Sequence, residues 1–263
     1  MRRKLRGLAG IVDRRGPGTP YRAYESLRFW ATRDREAAVR FLTAPSALSL
    51  DERVGLLLRF TRITNALRGY HTQAEMLTIS SAILRHAMRP ELAVVEAGVA
   101  HGSSTAKLSW VTARAGGKLV AFDSFRGIPK NDEVHQNLDG RTVVFRQGAF
   151  SGRIGAVKRA LETYGAPGHV ELVKGLLEDT LSRLTGHVDV AILDLDLLSS
   201  TRTAVKAIFP KIRSGGSLFT QDGHLRAVAE LLGSEAFWRE EVGVVPRPIE
   251  GLGTKKLLEI RPR

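Results

Sequence analysis

Val94-Val-Glu-Ala-Gly-Val-Ala-His-Gly-Ser-Ser104 compresses a valine pair, an acid, two glycines and two serines into eleven residues. The short β-branched run that ends in the acid has strand character, and the glycines open a turn into a helix-like stretch over residues 103–115. A strand that stops at such a turn and feeds a helix makes an anion-binding mouth. The helix N-terminus presents unpaired N–H groups and a partial positive charge there. Gly98 and Gly102 are expected to let a ligand lie against bare backbone.

A second strand, Lys118-Leu-Val-Ala-Phe-Asp123, follows and ends in a carboxylate. An acid at the tip of the second strand of such a unit is placed to accept hydrogen bonds from a ribose diol. The first expectation is therefore a nucleoside-binding α/β domain. Between Asp123 and the next helix, near Ser151, lies a long polar loop that begins where the ribose sits. A connection of that length in a compact domain is expected to be a lid or binding loop that excludes water.

Outward from this unit the pattern alternates between strand and helix, which implies a mostly parallel sheet covered on both faces. Strands are expected over residues 92–97, 118–123, 169–174, 188–194 and 215–220. Two more, near 242–247 and 254–260, would close a seven-stranded sheet. Helices are expected near 103–115, 151–164, 177–185, 200–210 and 223–238. Upstream, Tyr24, Leu27, Trp30, Ala37 and Phe41 keep helical spacing. Ser49-Leu-Asp-Glu52 and Thr72-Gln-Ala-Glu75 read as capping boxes opening two further helices. The expected organisation is a helical extension over residues 1–68 before a ligand-binding domain over residues 69–263.

The chain of 263 residues has no cysteine, which removes disulfides, thiolate metal sites and a thiolate nucleophile. No run of some 18 apolar residues supports a membrane span. The basic start is broken by Asp13-Arg-Arg15 before an apolar signal centre can form, so a cytoplasmic protein is expected. Net charge is +13, and residues 1–40 hold eleven Arg/Lys against four acids. With no aromatic interleaving or Arg/Gly repeat, that segment reads first as a solvated arginine-rich face and second as a polyanion contact.

The chemistry-bearing residues cluster late. The fourth strand ends Ala191-Ile-Leu-Asp194-Leu-Asp196, and the fifth ends Phe219-Thr-Gln221-Asp222-Gly-His224. Adjacent strand ends face the crevice where open α/β sheets bind ligands. Asp194, Gln221 and Asp222 are thereby candidates to converge as oxygen ligands for Mg2+ or another hard divalent ion. The alternative is that these acids cap helices or orient a ligand's amine.

Taken together, Glu96-x-Gly-Val-x-x-Gly-x-Ser104 and Asp123-Ser-Phe-x-Gly-Ile-Pro129 resemble the macrocin/mycinamicin O-methyltransferase family. Val170-Glu-Leu-Val-Lys-Gly-Leu-Leu-Glu-Asp-Thr-Leu181, Leu193-Asp-Leu-Asp196 and Phe209-Pro-Lys-Ile-Arg-Ser-Gly-Gly216 agree with it. The likeness runs from about Tyr70 to Asp222. It implies a Rossmann-like class I methyltransferase fold and S-adenosylmethionine as cofactor. The implied cofactor set is Glu96, Ala97, Gly98, His101, Gly102, Ser103, Ser104, Asp123, Ser124, Phe125, Glu178 and Asp194. In it Asp123 takes the ribose, Glu178 faces the adenine amine, and the amino-acid end lies at the helix N-terminus. It also implies a divalent ion that chelates two acceptor oxygens, lowering the hydroxyl pKa. His135 in the lid is the first candidate for the base, by likeness to a lid histidine, with Asp194 or Asp196 second. His101 and His224 read as contact groups, and histidines 71, 86, 169 and 187 as structural. Two positions depart from the family: Asp196-Leu-Leu-Ser-Ser-Thr201 replaces Asp-Leu-Tyr-Glu-Ser-Thr, and Gln221-Asp222 replaces Asp-Asp.

The expected function is methyl transfer to a hydroxyl of a small molecule, a sugar or polyhydroxylated natural product, by a homo-oligomer joined through the helical extension. An RNA methyltransferase using the basic segment and a metal-dependent glycosyltransferase using Asp194-Leu-Asp196 are the alternatives. The first lacks an Asn-Pro-Pro-Tyr type motif, and the second leaves Glu96 to Ser104 unexplained.

Overall fold

A computed structural model describes residues 33–263. The stripe at Tyr24, Leu27 and Trp30 and most of the basic segment lie outside that range. Three helices lead in: α1 (Arg33–Thr43), α2 (Leu50–Ala66) and α3 (Gln73–Leu84). Both expected capping boxes form. The Ser49 hydroxyl accepts from the Glu52 amide while the Glu52 carboxylate accepts from the Ser49 amide. Thr72 and Glu75 reciprocate in the same way at α3. Each satisfies two amides that the helix itself cannot.

From here strands and helices alternate: β1 (Ala93–Ala97), α4 (Ser103–Arg114) and β2 (Lys118–Asp123). Two two-residue strands, β3 (His135–Gln136) and β4 (Thr142–Val143), pair antiparallel inside the long loop. Then come α5 (Ile154–Tyr164), β5 (Val170–Lys174), the short α6 (Leu177–Thr180), β6 (Val188–Leu193) and α7 (Leu198–Ile208). β7 (Ile212–Thr220), α8 (Arg226–Gly233) and β8 (Leu258–Ile260) finish the domain.

The main sheet has six strands in the order β5-β2-β1-β6-β7-β8, parallel except for β8 against β7. This corrects the expected count of seven. The strand anticipated near 242–247 does not form: after a π-helical turn over Phe237–Val242, only an isolated bridge joins Pro246 to Pro262. Two prolines, Pro246 and Pro248, remove the ladder donors a strand would need there.

Alternate residues of the central strands face opposite sides, as a period of two requires. Val95, Ala191, Leu193 and Leu218 pack with α7 and α8 through Val205, Ile208 and Val228. Val94, Val190, Ile192 and Phe219 face the other way, onto Met76, Ile79, Ile83 and Leu108. Phe41, Leu56 and Phe60 join that second layer, so α1 and α2 share the core of the sheet. At the sheet's N-terminal edge, fully buried Asp189 is held by Arg89 at 2.7 Å and by the Ala93 amide at 3.0 Å.

The chain builds outward from β1 to β2 and β5, then returns to lay β6 on β1's other side. The reversal falls between β1 and β6, and a ligand crevice is expected outside their carboxyl ends.

Candidate functional site

A cleft of about 380 Å³ opens at that switch point, lined from the ends of β1, β2, β6 and β7, from the lid and from the turn before α3. Of the residues nominated from sequence, Gly98, His101, Ser103, Ser104, Asp123, Ser124, Glu178, Asp194 and Asp222 line it. Glu96, Ala97, Gly102, Phe125, His135 and Gln221 do not.

The two motif glycines answer to packing. A Cβ on Gly98, at φ 96°, would lie 2.0 Å from the Asp194 carbonyl oxygen, and one on Gly102 would lie 3.1 Å from Val157. They let β1 and the α4 turn seat against the protein, which differs from the expectation that a ligand fills their space. Ala100 at φ 45° and Asp196 at φ 63° are non-glycine residues in the left-handed region, and both line the cleft. Each such residue costs about 1–3 kcal/mol and is held only where its surroundings over-determine it.

Asp123 is engaged with backbone. Its Oδ2 accepts from the amides of Val99 (2.7 Å) and Ala100 (3.1 Å), and its Oδ1 from Phe125 (2.5 Å). A carboxylate has about four acceptor positions, so acceptor capacity remains for a ligand hydroxyl. Asp123 thus fixes the β1–α4 loop and also faces the cleft. Behind it Glu96 is 1% exposed with neither oxygen hydrogen-bonded. Burial pushes its pKa up to about 7; the hydroxyls of Ser104 and Thr105 pull it partway back without completing bonds.

The acids on β6 and β7 converge. Among the described residues, Asp194, Asp196 and Asp222 bring one oxygen each within 4.8 Å of the others. Asp222 Oδ2 accepts from the Leu195 and Asp196 amides at 3.0 and 3.2 Å, which pins the loop carrying the other two. Burial first, then the neighbouring carboxylates, raises Asp194 to about 7 and Asp196 to about 8; burial also raises Asp222. Three carboxyls crowded this closely suit a hard divalent cation. Asp196 therefore stands where the sequence had nominated Gln221. Gln221 is turned away, with Oε1 3.5 Å from Lys256 Nζ.

The lid histidine is 2% exposed, its Nε2 3.1 Å from Glu133 Oε2 and its ring edge-on to Phe145. It sits one layer behind the cleft surface. His224 lines the cleft instead, with Nδ1 3.2 Å from the Gln221 carbonyl. Burial and Lys256 hold its pKa below the usual histidine value, so the ring is neutral near pH 7. If Nδ1–H donates to that carbonyl, Nε2 keeps a lone pair.

Sequence reading did not find Tyr70, His71 or Lys256 as cleft residues. Lys256 comes from the far end of the chain and lies 3.5 Å from Glu75 and 3.2 Å from the Tyr70 carbonyl, with no local motif to mark it. Tyr70 stacks edge-on against Phe150 at 4.8 Å between ring centres, forming an aromatic wall at the mouth.

The macrocin O-methyltransferase family model matches residues 69–245. Among curated proteins no sequence matches. Among solved structures, the O-methyltransferase NovP superposes with a TM-score of 0.63 at 17% identity, over 80% of this chain and 99% of that one. CalS11, a calicheamicin methyltransferase, superposes with a TM-score of 0.56 at 21% identity, over 88% and 93%. At those identities the structures speak for a shared fold.

Proposed function

Because this chain belongs to the macrocin O-methyltransferase family and is an S-adenosylmethionine-dependent O-methyltransferase, we propose that its acceptor is a hydroxyl of a sugar or polyhydroxylated natural product held beside a divalent cation. The convergence of Asp194, Asp196 and Asp222 next to the cofactor end of β1 carries this reading. Such a trio supports a cation that two neighbouring oxygens of one acceptor chelate, which selects vicinal or otherwise paired hydroxyls. The family supports neither RNA methylation nor sugar transfer for this chain.

When bound, the cofactor would supply an electrophilic methyl on a sulfonium, transferable to the acceptor oxygen with the sulfur–carbon electron pair left on sulfur. The protein's part is alignment and proton removal. The α4 N-terminus with Ser103 and Ser104 receives the carboxylate of the amino-acid end, and Asp123 the ribose. Leu176 and Leu177 border the adenine, and Glu178 faces its amine. His224 Nε2 takes the acceptor proton, supported by its cleft position and its neutral state; Asp194 is the second choice. Mg2+ or another hard divalent ion is the cation such a donor set suits.

Residues 69–263 form the catalytic unit in this reading, with residues 1–68 as its extension. Leu50, Val54 and Leu58 are exposed at intervals of one turn along α2, which supports a homo-oligomeric contact there. No helix among the described residues is long and apolar enough to cross a membrane, and with the lack of cysteine this supports a cytoplasmic setting.

The test is mass spectrometry of a glycoside panel after incubation with methyl-deuterated S-adenosylmethionine. Deuteromethyl transfer to glycosides bearing adjacent hydroxyls, abolished by EDTA and restored by Mg2+, is expected. Full activity in EDTA would remove the cation, and transfer to none of the panel would remove the acceptor class.

A further inference from the structure

Lys107, on the second turn of α4, is 1% exposed, and its Nζ lies 2.8 Å from His71 Nε2. An ammonium group only donates, so His71 Nε2 must offer its lone pair, and the proton of a neutral imidazole must then sit on Nδ1. Burial, followed by the charges of Lys107 and Lys256, keeps the His71 pKa well below the ordinary value. The ring is therefore a neutral donor in one tautomer.

That ring lines the cleft beside the first turn of α4. The helix begins at Gly102 with no side-chain cap, and Ser103 Oγ is buried without a hydrogen-bond partner. The chain turn bearing His71 is pressed onto this spot. A Cβ on Gly69 would lie 2.8 Å from Ser103 Oγ and 2.9 Å from His71 Cε1. Helix amides, an orphan hydroxyl, a locked imidazole N–H and a buried ammonium behind it share one corner. Such a corner suits a carboxylate.

We propose that His71, locked by Lys107, binds the carboxylate of the cofactor's amino-acid end. The assignment rests on the reading that this cleft holds S-adenosylmethionine with that end at α4. It gives His71 a direct contact and Lys107 a positioning role, the ammonium setting the tautomer and adding positive potential without reaching the ligand.

The experiment compares calorimetric affinities for S-adenosylhomocysteine and 5′-methylthioadenosine, which shares the nucleoside and thioether but lacks the amino-acid end. His71→Ala and His71→Gln, whose amide falls near Nε2, are expected to weaken S-adenosylhomocysteine about tenfold and leave 5′-methylthioadenosine unchanged. His71→Asn, which keeps an N–H near the Nδ1 position, retains most of the affinity. Lys107→Met, which fills the same space without charge, behaves like His71→Ala. Equal weakening of both ligands, or undiminished S-adenosylhomocysteine binding in all variants, overturns the assignment. Wild-type protein that binds neither nucleoside overturns the cofactor reading and this assignment with it.

Discussion

At the scale of single residues, the acid trio makes the sharpest demand. Asp194 and Asp196 rise from 3.8 to about 7 and about 8 in the folded protein. Between about pH 4 and 8 the folded state thus binds more protons than the unfolded chain, so these groups make stability fall as pH rises through that window. A divalent cation requires the ionised forms, so the stabilisation it brings should grow over the same range. Melting temperatures measured from pH 5 to 8.5 with EDTA and with Mg2+ should diverge as pH rises, and Asp196→Asn should reduce the divergence; parallel curves would contradict the trio as a cation site. The two histidines separate as cleanly. His224→Asn should lower kcat by about 10²-fold, the lower end of general-base contributions, with S-adenosylhomocysteine affinity kept. His135→Asn should cost far less. The reverse order in kcat would return the base to the lid. Asp194 and Asp222 were visible in the sequence because each ends a buried strand. His71 and Lys256 were not, since each reaches the cleft from a turn or edge whose local pattern says nothing about a distant strand end.

At the scale of elements, the lid is tied to both acid-bearing loops. Glu133 accepts from the Leu198 and Ser199 amides at 2.7 and 3.1 Å, capping α7 from 65 residues away, and also contacts His135. The Leu138 amide donates to the His224 carbonyl at 2.9 Å, and Asn137 bridges to Leu225. α7 starts two residues after Asp196, so the cap that holds the lid also holds the acid loop. Glu133→Ala should reduce stability by about 1 kcal/mol, the usual worth of an N-cap. It should also raise the KM for the acceptor with S-adenosylhomocysteine affinity unchanged. An unaltered KM would leave Glu133 a plain helix cap. The capping boxes at Ser49 and Thr72 were legible because partner and cap are three residues apart. The Glu133 cap was not, because nothing in a polar loop announces which helix it will meet.

At the scale of the whole molecule, strand–helix alternation, a mostly parallel sheet and a crevice outside the strands' carboxyl ends followed from hydrophobic patterning and loop chemistry, while the reversal between β1 and β6 came only with the strand order. The error came at the edge, where Pro246 and Pro248 leave a bridge in place of a strand and the sheet stops at six. Local apolar pattern alone does not distinguish an edge strand from a proline-bounded turn. The central claim is that the cofactor lies across the ends of β1 and β2, with its amino-acid end at α4 and its sulfur side toward Asp194, Asp196 and Asp222. A crystal structure of the protein grown with S-adenosylhomocysteine tests this most directly. Density is expected for the ribose at Asp123, for adenine beside Leu177 and for the carboxylate at Ser103 and His71. Density for the ligand elsewhere, or an empty cleft at saturating ligand, would contradict it.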